Sequence, residues 1–362
     1  MAKEASSGLS LTQATKVSRA ALIYGAGGLI AFLVLWFSGG AFIRYWIATH
    51  PAPPPPPTVG FGILPAQSFP QNTDAEKPSQ YVLETATGRL PEFPDRAIVY
   101  FMPKNAPSLL DAEDASRFAA KFDFIFKPEI LNDRTYRWQK TQPILTTLEY
   151  DIQDHVFSYV SDFFNHPELL LNAELPTKFD AIAEVKKFLV KGVTLRPDIA
   201  TASGTFKYVK SVGSDLVPAV SAADADFVSV DLNRVPVAGM YEMYTDKDGE
   251  GVIHALVGNL QDTEKVLSLD YYYYPTDQSI SHTYPLRPVK QAWELLQGGE
   301  AYISHSVGNK QATVREVTLG YYDSTEPQTY LQPIYVFSGD DDFRAFVPAI
   351  ESTYINSAVS NP

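Results

Sequence analysis

An uncharged apolar segment near the N-terminus is the clearest pattern in the chain. No charged residue occurs from Ala20 to Ile43, and at about 1.5 Å per helical residue this stretch covers a hydrocarbon core of about 30 Å. A cleaved signal peptide is the alternative, because small residues at positions 38–41 follow the apolar run. The length of the run, which resumes through Phe42 and Ile43, favours a transmembrane helix over residues 20–43.

The basic residues around this segment predict its orientation. Lys3, Lys16 and Arg19 precede it, whereas Arg44 is the only Lys or Arg that follows it closely. Because positive charge is retained on the cytoplasmic side of a membrane, residues 1–19 are predicted to form a cytoplasmic tail. We therefore expect a single-pass protein of the cell membrane whose large C-terminal domain is extracytoplasmic.

Prolines follow the predicted helix at position 51 and at positions 53–57. Such a tract favours the extended polyproline II conformation and forms a stiff spacer, although proline tracts can also recruit SH3-like partners. The glycines and prolines of residues 58–77 indicate a flexible tether. Residues 44–79 are thus predicted to be a stalk and linker, with folding beginning near Gln80.

The patterns beyond the linker alternate between short strands and a few helices. In the first predicted unit, residues 80–175, helix-start chemistry at Ser108 and Asp111 precedes an amphipathic helix. Its apolar face is formed by Ala115, Phe118, Ala119 and Phe122. Alternation over residues 144–150, a turn, and a return strand over residues 156–160 then predict a hairpin.

The second predicted unit, residues 176–356, opens with a connecting helix. Thr177 and Asp180 have the spacing of a capping box, and Gly192 is the predicted stop. The side chains predicted to face inward are Phe179, Ile182, Val185 and Leu189. Strands are predicted next at Phe227–Leu232, Met240–Tyr244, Val252–Val257 and Val266–Tyr273.

The middle two of these strands are predicted to form a hairpin through the turn Asp246–Gly249. A third helix follows, with Pro288 in its first turn, Trp293 on its apolar face and Gly298 at its end. Each half thus contains a helix followed by antiparallel strands. The pattern predicts an α+β fold of antiparallel sheets with a few packed helices, interpreted as a duplicated unit, with residues 357–362 as a tail.

Composition removes several classes of function. The chain contains 42 acidic and 29 basic residues, for a net charge of −13, and nucleic-acid binding requires clustered cations. We therefore expect no nucleic-acid partner. The absence of cysteine excludes disulfides, thiolate catalysis and cysteine metal sites.

Motifs for catalysis and metal binding are missing as well. The six histidines are scattered, and no two have the i, i+4 spacing of a helical metal site. The sequence contains no G-x-S-x-G nucleophile elbow, no phosphate loop with a Gly-Lys step and no complete G-x-G-x-x-G fingerprint. We therefore expect no enzymatic activity, no cofactor and no metal site.

Three local clusters permit a functional and a structural interpretation. Asp246, Asp248 and Glu250 resemble part of a calcium loop, but a turn also explains them. The run Asp340, Asp341 and Asp342 permits cation binding or acid catalysis, although charge runs between strands are usually solvated loops. The rings of residues 271–274 could stack on a ligand, whereas strand alternation places only every second ring on one face. The patterns favour the structural interpretation and leave cation binding open.

Four stretches near the C-terminus carry a resemblance to a known group. They are AWELL at 292–296, AYI at 301–303, LGYY at 319–322 and LQPIYVF at 331–337. They resemble the end of YycH/YycI-type and related PepSY-like extracytoplasmic domains over less than a third of the chain, with Tyr335 where that group usually has Trp. The resemblance implies one N-terminal spanning helix, a duplicated α+β ectodomain, and a non-enzymatic regulator that contacts a membrane histidine kinase or another envelope protein.

Three functional hypotheses remain. The first is a membrane-anchored regulatory or interaction protein with a protein partner in the membrane or envelope. The second is a structural scaffold subunit of an envelope division or secretion complex. The third is an envelope hydrolase, which would need two carboxylates converging in a cleft.

Small residues within the predicted spanning helix suggest that it also recognises a partner. Ala21, Gly25 and Gly28 recur at i, i+4 and i+7, and Gly27 and Ala31 form a second pair. Such residues permit close approach of helices in lipid. Glycine is common in spanning helices in any case, so an anchor without recognition is the alternative.

Overall fold

The computed structural model describes residues 15–16, 19, 22, 24–29, 32–36, 56–70, 77–166, 174–213, 215–247, 249–259, 264–308 and 310–356. The chain divides into two units, Met1–Pro56 and Pro57–Pro362. The described residues before Pro56 are helical. In the described part of the chain, no helix combines the length and the apolar character needed to cross a membrane. Half of the residues of the predicted spanning helix at 20–43 lie outside the described residues, as do most of the predicted tail 1–19 and all of 357–362.

The C-terminal unit contains helices and many strands. Its described α-helices are α1 (Asp111–Ala120), α2 (Lys178–Leu189), α3 (Pro197–Ala200) and α4 (Val289–Gln297). Its described strands are β1 (Leu64–Pro65), β2 (Gln80–Leu83), β3 (Arg96–Phe101), β4 (Glu129–Ile130), β5 (Thr135–Lys140), β6 (Thr146–Asp151), β7 (Phe157–Ser161), β8 (Thr205–Val212), β9 (Asp215–Pro218), β10 (Phe227–Leu232), β11 (Met243–Tyr244), β12 (Ile253–Val257), β13 (Val266–Tyr271), β14 (Asp277–Pro285), β15 (Tyr302–His305), β16 (Gln311–Tyr322), β17 (Tyr330–Gly339), β18 (Arg344–Pro348) and β19 (Ile355–Asn356). The predicted α+β class is confirmed.

Two large sheets organise these strands. Within the described residues, a nine-stranded sheet has the order β4-β5-β6-β7-β13-β12-β10-β8-β9, and all of its pairs are antiparallel. An eight-stranded sheet contains the order β11-β16-β17-β18-β15, with β3 bridging β14 and β17 and with β2 beside β16. Both sheets draw on distant parts of the chain, which crosses between them several times.

Hydrogen bonding does not follow the predicted boundary between residues 175 and 176. Strand β7 pairs with β13, and β3 pairs with β14, so strands from both predicted units occur in each sheet. The two sheets therefore do not correspond to the two predicted units. The duplication of one α+β unit stays a prediction. Pairing of this kind joins segments that are far apart in sequence, and local periodicity carries no information about it.

Helices α1 and α2 cover one face of the nine-stranded sheet. Phe118 of α1 contacts Phe157 of β7, and Phe122 contacts Phe188 of α2 with ring centroids 4.9 Å apart. The predicted inward face of α1 is confirmed, because all four of its predicted residues are buried. Helix α2 begins as predicted, with the Thr177 hydroxyl accepting a hydrogen bond from the backbone N–H of Asp180.

One side chain of α2 was assigned to the wrong face. Phe179 is 82% exposed, whereas Ile182, Val185 and Leu189 are buried. Phe179 lies in the first turn, where the helix has only begun to pack on the sheet, so its position on the apolar stripe does not bring it into contact with the core. Helix α4 packs on the eight-stranded sheet and leaves Trp293 half-buried against Phe337.

The two predicted hairpins have different outcomes. Strands β6 and β7 form the expected antiparallel hairpin. The predicted pairing of residues 240–244 with residues 252–257 is wrong, because β11 pairs in parallel with β16 while β12 lies between β10 and β13. The two strands belong to different sheets, and the segment between them is a crossover.

The folded unit begins earlier than the predicted start near Gln80. Leu64 is fully buried, and β1 pairs in parallel with the C-terminal β19. The backbone N–H of Val59 donates to the carbonyl of Thr283. Residues 57–70 are therefore part of the fold rather than a free tether, and their pairing partner lies at the other end of the sequence.

Matched substitutions on α2 test the assignment of its faces. Leu189→Ala removes a fully buried side chain and should lower the free energy of unfolding by about 2–5 kcal/mol. Phe179→Ala, on the same helix, should change it by less than about 0.5 kcal/mol because the ring is exposed. Urea unfolding followed by circular dichroism measures both, and the reverse ranking would show that α2 is rotated.

Candidate functional site

The tyrosine run at residues 271–274 lies where β13 leaves the nine-stranded sheet and the chain continues toward β14. Successive side chains of an extended segment point to opposite sides. Tyr271 and Tyr273 line one cavity, and Tyr272 and Tyr274 line another. The run therefore faces two cavities at once.

The turn between β6 and β7 separates these cavities. Tyr150 and Asp154 line both of them. The carboxylate of Asp151 accepts hydrogen bonds from the backbone N–H groups of Gln153 (2.9 Å) and Asp154 (2.7 Å), and His155 adopts a positive φ of 60°. An aspartate that caps its own turn in this way fixes the positions of the side chains that follow it.

The first cavity, called here the Arg134 cavity, has a volume of about 330 Å³. Its lining includes Tyr272 and Tyr274 on one side and the loop at residues 325–327 on the other. Arg134 forms ion pairs with Asp151 (2.9 Å) and with Asp154. Its guanidinium is thus already bound by two carboxylates of the cavity wall.

The second cavity, called here the Arg196 cavity, has a volume of about 250 Å³. Aromatic rings form much of its wall, namely Phe118, Tyr150, Tyr271 and Tyr273. Tyr150 and Tyr271 flank Phe157 across three neighbouring strands, and Phe157 stacks on Tyr271 with ring centroids 5.1 Å apart. Polar side chains of Asn105, His155 and Arg196 complete the lining. The cavity therefore combines an aromatic wall with exposed polar groups.

Burial keeps the tyrosine hydroxyls of the Arg196 cavity protonated. It raises the pKa of Tyr271 to about 12, although the positive charges of Arg234 and Arg196 act in the opposite direction. Burial also raises the pKa of Tyr150, with a smaller contribution from Asp151. Both groups are consequently hydrogen-bond donors across the physiological pH range.

Arg234 fixes the end of the tyrosine run between the two sheets. It follows β10 of the nine-stranded sheet, and its side chain is almost completely buried. It donates to the Thr276 hydroxyl at 2.6 Å and to the carbonyl of Tyr274, and its guanidinium lies 4.4 Å from the ring centroid of Tyr273. The hydroxyl of Tyr273 in turn donates to the carboxylate of Asp198 at 3.0 Å.

Asp323 is the counter-ion that the eight-stranded sheet provides. It follows β16, is 1% exposed, and has a carboxylate oxygen 3.1 Å from Nε of Arg234. Neither carboxylate oxygen has a hydrogen-bond partner among the described residues. Burial raises the pKa of Asp323 to about 6, and the attraction of Arg234 offsets only part of this effect. The ion pair thus joins the sheets while leaving the carboxylate poorly solvated.

A histidine–aspartate pair lies on β10 and β12 of the nine-stranded sheet, where β12 adjoins the start of the tyrosine run. Nδ1 of His254 is 2.7 Å from the carboxylate of Asp231, directly opposite it on the neighbouring strand. Burial lowers the pKa of His254, but the hydrogen bond and charge of Asp231 outweigh burial and raise the pKa overall. The pair comes from two strands, so the spacing of histidines in the sequence gave no signal for it.

One carboxylate of each acidic cluster from the sequence makes contacts within the fold. The carboxylate of Asp246 accepts hydrogen bonds from the backbone N–H (2.9 Å) and hydroxyl (2.7 Å) of Thr325. Asp340 binds Arg315 through two hydrogen bonds of 2.8 and 2.7 Å, in the loop between β17 and β18. Asp248 lies outside the described residues. Among the described residues, no group of three or more metal-ligating side chains is close enough to hold an ion.

The small residues predicted to pack in the membrane are only partly described. Gly25, Gly27 and Gly28 are helical, and Ala21 and Ala31 lie outside the described residues. Their role in recognition stays a prediction.

Arg234→Met tests the junction between the sheets. The substitution removes the contacts to Thr276 and Tyr274 and leaves Asp323 buried without its cation, so we expect a loss of about 3–5 kcal/mol at neutral pH. Chemical unfolding at pH 7 measures the loss. A change below about 1 kcal/mol, typical of a surface site, would contradict the buried position of Arg234.

Asp323→Asn tests the raised pKa of Asp323. Because the folded protein holds this proton more tightly than the unfolded chain, the contribution of Asp323 to stability is present below about pH 4 and is lost as the pH rises through about 6. Relative to the wild type, the variant should therefore gain on the order of 3 kcal/mol between pH 4 and pH 7. A constant difference across this range in urea unfolding would show that the pKa is unshifted.

Comparisons with known proteins give no assignment of family. No family model matches the chain, and no curated protein matches it significantly. Similar solved structures include the YpeB C-terminal domain of Bacillus megaterium, with 14% identity, a TM-score of 0.32, and coverage of 68% of this chain and 95% of that domain. They also include an uncharacterized protein from Eubacterium rectale, with 10% identity, a TM-score of 0.30, and coverage of 70% and 81%. Similarities this weak establish neither a fold family nor a function, so the resemblance to YycH/YycI-type and PepSY-like domains stays a prediction.

Proposed function

We propose that the protein is a membrane-anchored extracytoplasmic regulatory or interaction protein, non-enzymatic, that binds a protein partner at the two cavities beside the tyrosine run. The anchor and the orientation rest on the uncharged segment and on the basic residues that precede it. Modulation of a membrane sensor kinase or an envelope enzyme is the activity that the sequence resemblance suggests.

The observation that carries the proposal is the alternating tyrosine run between two cavities that share Tyr150 and Asp154. Tyrosine provides a large, rigid contact area and a polar group at low entropic cost, and it is enriched at the centres of protein interfaces. Two neighbouring cavities on either side of one turn allow two side chains of a partner to be held at once. Such an arrangement favours recognition of a protein segment.

Three of the four carboxylates that line the Arg134 cavity are held in ion pairs, which favours binding over hydrolysis. A hydrolase of the expected type needs one carboxyl group that donates a proton and another that attacks or activates water. Asp151 and Asp154 are both ion-paired with Arg134, and Asp151 also caps the turn. The contacts of Asp151 and Asp154 therefore indicate a structural role in the cavity wall.

Site-specific crosslinking tests the partner-binding surface. Because the chain has no cysteine, Asn105→Cys at the Arg196 cavity and Glu326→Cys at the Arg134 cavity can each carry a single photocrosslinker in native membranes. Both should capture the same protein, whereas Val220→Cys, which is 94% exposed beside the edge strand β9, should not. A captured kinase or envelope enzyme supports regulation, and subunits of a division or secretion complex support the scaffold alternative.

The same variants test the orientation. A membrane-impermeant maleimide should label Val220→Cys in intact cells or spheroplasts. Complete protection until the membrane is broken would overturn the extracytoplasmic location. Equal crosslinking from Asn105→Cys, Glu326→Cys and Val220→Cys would show that the two cavities are not the binding surface.

A further inference from the structure

We propose that the Arg196 cavity binds a carboxylate group of a partner peptide. This inference rests on the proposed interaction function and names the chemistry that the cavity recognises. It is argued from two tyrosine hydroxyl groups, one arginine and the size of the cavity.

Two tyrosine hydroxyls line the cavity without a hydrogen-bond partner in the described part of the protein. Tyr150 and Tyr271 are only 7% and 8% exposed, yet neither hydroxyl bonds to another described group, in contrast to Tyr273 and Tyr274, whose hydroxyls bind Asp198 and the carbonyl of Thr325. The ring of each residue is buried, while its hydroxyl oxygen stays open to the cavity. Two such donors at one cavity suit an acceptor-only group such as a carboxylate.

Arg196 supplies the positive charge. It is exposed, lines the cavity, and forms no ion pair with any residue that the structure describes. Its positive charge opposes part of the rise that burial causes in the pKa of Tyr271. A guanidinium presents a planar set of donors that matches the two oxygens of a carboxylate. Arg134 differs from Arg196 in this respect, because it is already ion-paired with Asp151 and Asp154.

The acidic group of the cavity lining already has a partner. Asp154 forms an ion pair with Arg134, which also pairs with Asp151. The ring of the exposed His155 lies 6.1 Å from that of Tyr150 and adds a polar group to the lining. The unpaired Arg196 would repel a cationic ligand and attract a carboxylate.

The size of the cavity points to a side chain or a chain terminus. At about 250 Å³ it is smaller than the roughly 300–1,000 Å³ of typical small-molecule sites. An aspartate or glutamate side chain fits this space, and so does the C-terminal carboxylate of a peptide. Both sources present the same chemical group, and the experiment separates them.

Fluorine NMR of the full-length protein, labelled with 3-fluorotyrosine in lipid nanodiscs, measures the binding. Four peptides serve as probes: N-acetyl-Gly-Glu amide carries a side-chain carboxylate, N-acetyl-Gly-Gly carries a terminal one, and N-acetyl-Gly-Gln amide and N-acetyl-Gly-Gly amide are their neutral counterparts. Tyr271→Phe identifies the signal of Tyr271. We expect at least one carboxylate peptide to shift this signal saturably, and its neutral counterpart to bind at least about tenfold more weakly.

Substitutions then test the named groups. Arg196→Gln should weaken binding of the carboxylate peptide about tenfold or more, and Tyr150→Phe should weaken it by a smaller factor. Arg89→Gln, which changes an exposed arginine away from the cavity lining, should leave binding unchanged. Unaltered signals of the other tyrosines show that each variant is folded.

The inference fails if no carboxylate peptide shifts the Tyr271 signal, if neutral peptides bind equally well, or if Arg196→Gln has no effect. If no carboxylate peptide binds but Asn105→Cys still crosslinks a protein, the carboxylate site is wrong and the proposed interaction function stands. Binding of a carboxylate peptide without any crosslinked protein would support the site and count against the proposed protein partner.

Discussion

The guanidinium of Arg234 lies at the junction of the two sheets, where it binds the Tyr273–Thr276 segment and pairs with Asp323. It comes from the nine-stranded sheet, and Asp323 comes from the eight-stranded sheet. A buried arginine can bind several acceptors in one plane, which a lysine cannot do. The direction in which the tyrosine run leaves β13, and hence the shape of both cavities, depends on this contact.

The junction also shows the cost of such a contact. Asp323 is buried without hydrogen bonds from the described residues, and burial raises its pKa despite the nearby arginine. Desolvation of a carboxylate can exceed the attraction of one cation, especially when its remaining lone pairs are unmet. The pair therefore specifies how the sheets meet more than it stabilises the fold. The clear stabilising groups are the apolar layers on each sheet.

The two cavities show how similar residues acquire different roles. Each contains an arginine and tyrosines of one run, but Arg134 is held by the turn between β6 and β7, whereas Arg196 is not ion-paired within the described structure. In the Arg134 cavity the arginine is already ion-paired with two carboxylates of the wall. In the Arg196 cavity the unpaired cation and the tyrosine hydroxyls are available to a partner, so we place recognition there.

Local chemistry allowed several elements to be predicted from the sequence. The cap at Thr177, the apolar stripe of α1 and the alternation of β6 and β7 depend on residues a few positions apart, and all three are confirmed. Alternation along the tyrosine run also indicated that its rings would face two sides. The error at Phe179 arose because a helical stripe gives the direction of a side chain but not how far the packing surface extends.

The sequence by itself determined the α+β class and the positions of the main helices, because hydrogen bonding within a helix or hairpin and the period of its apolar residues are local properties. The tertiary structure alone decided which strands share a sheet, that Leu64 is in the core, and which arginine is paired. Arg234 and Asp323 are far apart in the chain, and so are Tyr150 and Tyr271. Their meeting depends on long-range strand pairing, which has no signature in the spacing of residues along one segment.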